Sequence, residues 1–140
     1  MKADLHIHST ASDGLLSPAE VVEWGVKRKL KAISLTDHDN ISGIELAVSR
    51  SKGEDIEIVP GIELSTDYYG IEVHMLGYFI DYKSFQLNSF LTELQINRAE
   101  RAEKMVKKLN SMGCKINYRD VLNRAKDESS IGRPHIASVL

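Results

Sequence analysis

The chain has 140 residues, 42% of them hydrophobic and 27% charged, with a formal net charge of −2. That composition fits one modest globular domain or a piece of a larger one, and the total charge recruits neither nucleic acid nor a membrane. The single cysteine, Cys114, excludes an internal disulfide, and no apolar run approaches the ~20 residues that span a bilayer. With no hydrophobic leader in "MKADLHIH", the expected location is the cytoplasm.

"ADLHIH" reads as a short strand in which His6 and His8, two apart, face the same side. "SPAEVVEWGVKRK" reads as a helix, with Ser17 as N-cap, Pro18 in the first turn and Glu20 three residues after the cap. "KAISLTDHD" is a second strand ending in polar residues, and "NISGIELAVSRSK" a second helix stopped near Gly53. "IEIVPGIELS" is a third strand, bent or bulged at Pro60-Gly61. "GIEVHMLGYFI" is a fourth, with Ile71, Val73 and Met75 alternating against Glu72, His74 and Leu76. From Ser84 to Met112, Leu87, Leu91, Leu94, Ala102, Met105, Leu109 and Met112 keep helical spacing, and Gly113 is a natural stop. Arg98 interrupts that stripe, as a break between two helices or as a side chain put to use. A shorter helix around "YRDVLNRAK" follows, capped by Asn117, and "GRPHIASVL" begins another. Strand alternating with helix predicts an α/β fold with a largely parallel sheet.

In such sheets ligands bind beyond the carboxyl ends of the strands. The first strand brings His6 and His8 and then Asp13; the second brings Asp37, His38 and Asp39. The third ends at Glu63, and the fourth carries His74. Each has an ordinary reading: His74 as a hydrogen-bonded strand residue, Asp13 as the turn residue of "SDG", Asp37 and Asp39 as loop acids or a helix cap, Glu63 as an exposed strand end. Together they are imidazoles and carboxylates on four successive strands, a donor set for zinc, manganese or iron. Six candidate ligands exceed one zinc site, so more than one ion is expected. Clustered ions favour phosphoester hydrolysis by metal-activated water. No phosphate-binding glycine loop, nucleophile elbow or dinucleotide fingerprint occurs.

"DLHIHSTASDG", "LTDHDNISG", "PGIELS" with His74 downstream, and "GRPHIA" resemble the PHP (polymerase and histidinol phosphatase) superfamily. The chain is most similar to its bacterial metal-dependent phosphoesterases, which include 3',5'-nucleotide bisphosphate phosphatases and 5'-to-3' exoribonucleases. The resemblance runs through all 140 residues. It implies the N-terminal portion of a distorted (β/α)7 barrel: residues 1–82 as the metal-binding half, 83–130 as a helical insertion, and 131–140 as the start of a substrate-side helix. It implies two or three divalent transition metals (Mn, Zn or Fe), with His6 and His8 on one, Asp13 and His38 on a second, Glu63 bridging and His74 on a third. Asp4, Asp37 and Asp39 would then orient imidazoles. Arg133 would hold a phosphate, and His135 would contact it or protonate a leaving oxygen. Arg98 and Arg101 lead a basic stripe with Lys104, Lys107 and Lys108, read either as a rail for an oligonucleotide or as a solvated face balanced by Glu100 and Glu103.

The implied substrate is a phosphorylated small molecule, a nucleotide or the 5' end of a short RNA. A histidinol-phosphate-type phosphatase and a non-catalytic metal-binding module are the alternatives. The family's further histidine and closing Asp-x-His pair belong to its C-terminal half and do not occur in these residues. The expectation is therefore the N-terminal part of a longer enzyme, with weakened metal affinity and little turnover by itself, and with uncovered edges open to self-association.

Overall fold

A computed structural model describes residues 2–125 and 128–140. Strands β1 (Ala3–Ile7), β2 (Ala32–Leu35) and β3 (Glu57–Ile58) form a parallel sheet in that order, joined by helices α1 (Pro18–Lys27) and α2 (Ile44–Arg50). Helix α1 starts as its sequence directs. Ser17 Oγ accepts the Glu20 N–H while the Glu20 carboxylate accepts the Ser17 N–H at 2.8 Å, a complete capping box ahead of Pro18. Val21 and Val22 of α1 and Ala47 of α2 then bury against Ile33, Leu35 and Ile56, which seals one face of the sheet.

Helix α2 begins later than its apolar pattern suggests, because Asn40 competes for the backbone. Its Oδ1 accepts the Ser42 N–H at 2.9 Å and its Nδ2 donates to the Ala11 carbonyl at 2.7 Å, so "NISG" turns instead of winding.

The expected third strand is two strands. After β3 the chain bends through Val59-Pro60 into β4 (Gly61–Tyr68), which leaves the parallel sheet and pairs antiparallel with β5 (Ile71–Tyr78). Pro60 has no N–H to give a ladder. A Cβ on Gly61 would lie 2.2 Å from Ser34 Oγ, so only glycine lets β4 pass so close to β2. An isolated parallel bridge between His38 and Glu63 then ties the start of β4 to the chain beyond β2. Glu63 accordingly sits near the beginning of a strand, not at its end.

Helix α3 (Phe85–Ser111) runs unbroken through Arg98. Its first half places Leu91 against Ile41, Ile44 and Ile62. Its second half places Ala102 and Val106 in a separate cluster with α4 (Tyr118–Ala125) and α5 (Arg133–Ala137), through Val121, Ala125, Ile131 and Ile136. Asn117 Oδ1 accepts the Arg119 N–H at 2.9 Å at the start of α4. The expected continuation of that helix to Lys126 lies outside the described residues. Among the described residues, no helix is long and apolar enough to cross a membrane.

Candidate metal centre

Four of the five histidines meet in one row. The ring centroids of His6 and His8 are 5.2 Å apart, those of His8 and His38 4.6 Å, and those of His38 and His74 4.8 Å. Strand alternation explains the set. His6 on β1 and His8 just beyond it share a side. On the hairpin, the pairing of Ser65 with His74 and of Glu63 with Leu76 puts Glu63 and His74 on one face.

Glu63 lies among them. Its Oε2 is 2.8 Å from His8 Nε2 and 3.0 Å from His6 Nε2, and its Oε1 is 2.8 Å from His74 Nδ1. Asp13 Oδ1 is 2.9 Å from His8 Nδ1, and Asp13 Oδ2 is 3.8 Å from His38 Nε2. Three triads result: His6–His8–Glu63, His8–Asp13–His38 and His38–Glu63–His74. In each, one donor atom per residue lies within 4.8 Å of the others.

The surrounding residues hold this geometry in ways the sequence did not predict. Among the described residues Asp37 hydrogen-bonds to no imidazole; it clamps the loop between His8 and Asp13. It accepts from the Ser9 N–H at 2.7 Å, Ser9 Oγ at 2.7 Å and Ser12 Oγ at 2.6 Å. Asp4 accepts the His6 N–H within its own strand at 3.3 Å and, among the described residues, hydrogen-bonds to no imidazole ring. Asp39 does not orient an imidazole either. Its backbone is left-handed (φ 49°), a conformation aspartate tolerates better than most residues. Its carboxylate accepts the Ser65 N–H at 2.8 Å and Arg98 Nε at 2.5 Å. Gly14 carries no signal in the sequence beyond the "SDG" turn itself, yet a Cβ there would meet the His8 carbonyl oxygen at 2.1 Å, so the turn closes on His8 only with glycine.

The electrostatics prepare the donors. The hydrogen bond to His8 holds the Asp13 carboxyl down at about 2, and the same contact raises His8. Burial, reinforced by the Arg98 charge, brings His38 down to about 4, so it is a neutral donor at physiological pH. Burial pushes Glu63 up, but its contacts with His6, His38, His74 and His8 outweigh it and leave the group below its ordinary value. Burial raises Asp37 despite the serine hydrogen bonds.

The residues fit divalent metal ions. Among the described residues, His38 Nδ1 is buried with no hydrogen-bond partner, its nearest carboxylate oxygen being Glu63 Oε2 at 3.7 Å. An orphaned buried imidazole nitrogen facing carboxylates is costly as a structural feature and ordinary as a metal donor. The mixed imidazole and carboxylate set suits Zn, Mn or Fe alike.

Beside the triads opens a cleft of about 330 Å³, lined by Asp13, His38, His74, Arg98, Arg101 and Arg133, with Gly132, Pro134 and Ala137. Arg101 and Arg133 reach it from α3 and α5. His135 Nδ1 accepts the Gly132 N–H at 3.0 Å, which caps α5 and leaves Nε2 as the ring's donor. The expected basic stripe divides. Arg98 turns inward, only 9% exposed, onto Asp39, Ser65 Oγ and the Ile131 carbonyl. Lys104 and Lys107 pair along the helix with Glu100 and Glu103, the solvated-face reading. Glu72, read from sequence only as the polar side of a strand, contacts His74, Arg101 and Arg133.

Comparison with known proteins gives a consistent picture. The family model described as "PHP domain" matches residues 4–127. The chain is 34% identical over 139 residues to a 5'-3' exoribonuclease of Haemophilus influenzae, covering 99% of this chain and 50% of that protein. It is 31% identical over 134 residues to a 3',5'-nucleoside bisphosphate phosphatase of Chromobacterium violaceum, covering 96% and 47%. The crystal structure of a candidate metal-dependent phosphoesterase from Bifidobacterium adolescentis superposes with a TM-score of 0.90 at 31% identity, over 100% of this chain and 49% of that one. The chain thus spans about half the length of the curated relatives it matches.

Proposed function

The chain belongs to the PHP-domain family, and on that premise we propose that it carries the metal-binding part of a phosphoesterase that hydrolyses phosphomonoesters of nucleotides or of the 5' end of short RNA. One observation carries this reading: three interlocked imidazole–carboxylate triads, two of which reach through Asp13, His38 and His74 into a cleft that Arg98, Arg101 and Arg133 also line. The exoribonuclease and bisphosphate phosphatase relatives support the substrate class.

His6, His8 and Glu63, then His8, Asp13 and His38, then His38, Glu63 and His74 would hold two or three ions of Mn, Zn or Fe. Such ions supply Lewis acidity, which activates water at neutral pH and offsets phosphoryl charge. The chain's own residues do the rest. Glu63 spans the first and third triads with its two oxygens. Asp13 holds His8 by its Nδ1 and sets which ring nitrogen is free. Arg101 and Arg133 present guanidinium N–H groups to an anionic ligand in the cleft, where planar donors match phosphate oxygens. His135 is held below its ordinary value by burial and offers a neutral Nε2–H, which suits contact with a phosphoryl oxygen better than proton donation to a leaving group.

The test is a manganese-supplemented assay of the protein that bears this chain against adenosine 3',5'-bisphosphate, 5'-phosphorylated RNA and histidinol phosphate. Turnover of either nucleotide substrate in preference to histidinol phosphate is expected. Preference for histidinol phosphate overturns the nucleotide assignment, and turnover of none overturns the phosphoesterase reading in favour of a binding module.

A further inference from the structure

We propose that Glu72 is a positioning residue that holds Arg101 and Arg133 together as one phosphate-binding pair. The inference rests on the phosphoesterase reading above and names a residue through which substrate recognition is set. Glu72 stands on β5 two residues before His74, so it shares the hairpin's site face. Its Oε1 accepts from Arg101 Nη1 at 3.2 Å and lies 3.3 Å from His74 Nε2, and its Oε2 forms an ion pair with Arg133, 2.9 Å from Nη1. One carboxylate therefore joins side chains from three elements: α3, β5 and α5.

The placement says what the carboxylate does. His74, Arg101 and Arg133 all line the cleft, and Glu72 does not. It grips the arginines from outside the cavity, so it leaves the anion's place free instead of occupying it. Each guanidinium faces Glu72 through its Nη1 alone and keeps its other nitrogens for a ligand. The arginines need such a hold, because Arg101 and Arg133 are 40% and 57% exposed at the side chain. A free arginine at that exposure samples many rotamers, and two like charges brought to one cleft separate. A shared carboxylate removes much of both costs before any ligand arrives.

The inference makes a prediction opposite to simple charge counting. Replacing Glu72 by Gln removes a negative charge beside the cleft, which by itself would tighten anion binding. If Glu72 positions the arginines, binding weakens instead. Calorimetry with adenosine 3',5'-bisphosphate as the probe, on manganese-reconstituted protein, should show E72Q weakening binding by about tenfold. In an R101Q/R133Q background the same change should have no further effect. Glu72→Asp, which keeps the charge on a shorter stem, should recover part of the affinity, and it serves as the test if E72Q melts early by circular dichroism. A readout that does not depend on metal or ligand is 15N relaxation of the Arg101 and Arg133 Nε–H groups, which should become mobile in E72Q.

Equal or tighter binding by E72Q, or a loss of the same size without the arginines, overturns the role of Glu72 alone. Failure of the wild-type protein to bind the bisphosphate at all overturns the phosphoesterase reading, and this inference with it.

Discussion

At the scale of single residues, the clearest dependence is that of the "STAS" loop on Asp37. Its carboxylate is the acceptor for three donors, two of them side-chain hydroxyls. Asp37→Ala removes the acceptor of the buried Ser9 N–H and Ser9 hydroxyl and leaves Ser12 Oγ only its longer contact with Asp13 Oδ1 at 3.4 Å, so a loss of about 1–3 kcal/mol in unfolding free energy is expected, read from denaturant melts. His8 and Asp13 sit at the two ends of that loop, so metal affinity should fall in the same variant. His135 makes a different prediction. Burial lowers its pKa, so the unfolded chain binds a proton more readily than the folded one. Its contribution to stability is full above the ordinary value of 6.5 and is lost as pH falls through the lowered value. An NMR titration of the His135 ring should have its midpoint below 6.5; a midpoint above it would contradict the assigned burial and cap. The pairing of His6 with His8 was legible in the sequence because it needs only strand alternation. The tasks of Asp37, Asp39 and Glu72 were not, because each depends on which distant donors the fold brings near.

At the scale of elements, Arg98 shows the same limit. The sequence marks it as an interruption in an apolar stripe, and nothing local tells a kink from a buried ion pair. The structure resolves it through Asp39, 59 residues away in the chain. Asp39 is 1% exposed, so the pair anchors α3 to the loop that carries His38. Removing one partner of a buried pair strands the other charge. Arg98→Ala should cost about 3–5 kcal/mol in a thermal or denaturant melt, far more than Lys104→Ala, whose partner lies on the solvent face. Equal effects of the two would show that Arg98 is not buried as described. Helix α1, by contrast, was readable throughout, since Ser17, Pro18 and Glu20 are all local signals. The third strand was misread for a related reason. Pro60-Gly61 announces a bend, but only the close passage over Ser34 shows that the chain there changes sheets.

At the scale of the whole molecule, the α/β alternation and the strand-end cluster followed from the pattern of the sequence, and the antiparallel hairpin did not. The edge of β1 away from β2 has no partner strand among the described residues, and Leu5 beside it is 41% exposed. Ile71, Val73 and Met75 on the hairpin are also exposed, on the face opposite His74. An open edge and an uncovered apolar face predict that this 140-residue chain self-associates. Sedimentation velocity should show a mass that rises with concentration, and a monomer at all concentrations would contradict the prediction.

The account stands on Glu63 as the carboxylate shared between two triads. The direct test is metal content, by mass spectrometry of elements, after reconstitution with manganese or zinc and removal of free ions. The wild-type chain should retain more than one ion per molecule, and Glu63→Gln should lose most of them while keeping its fold. A wild-type chain that retains no metal, or a Glu63→Gln chain that retains as much as wild type, would contradict the account.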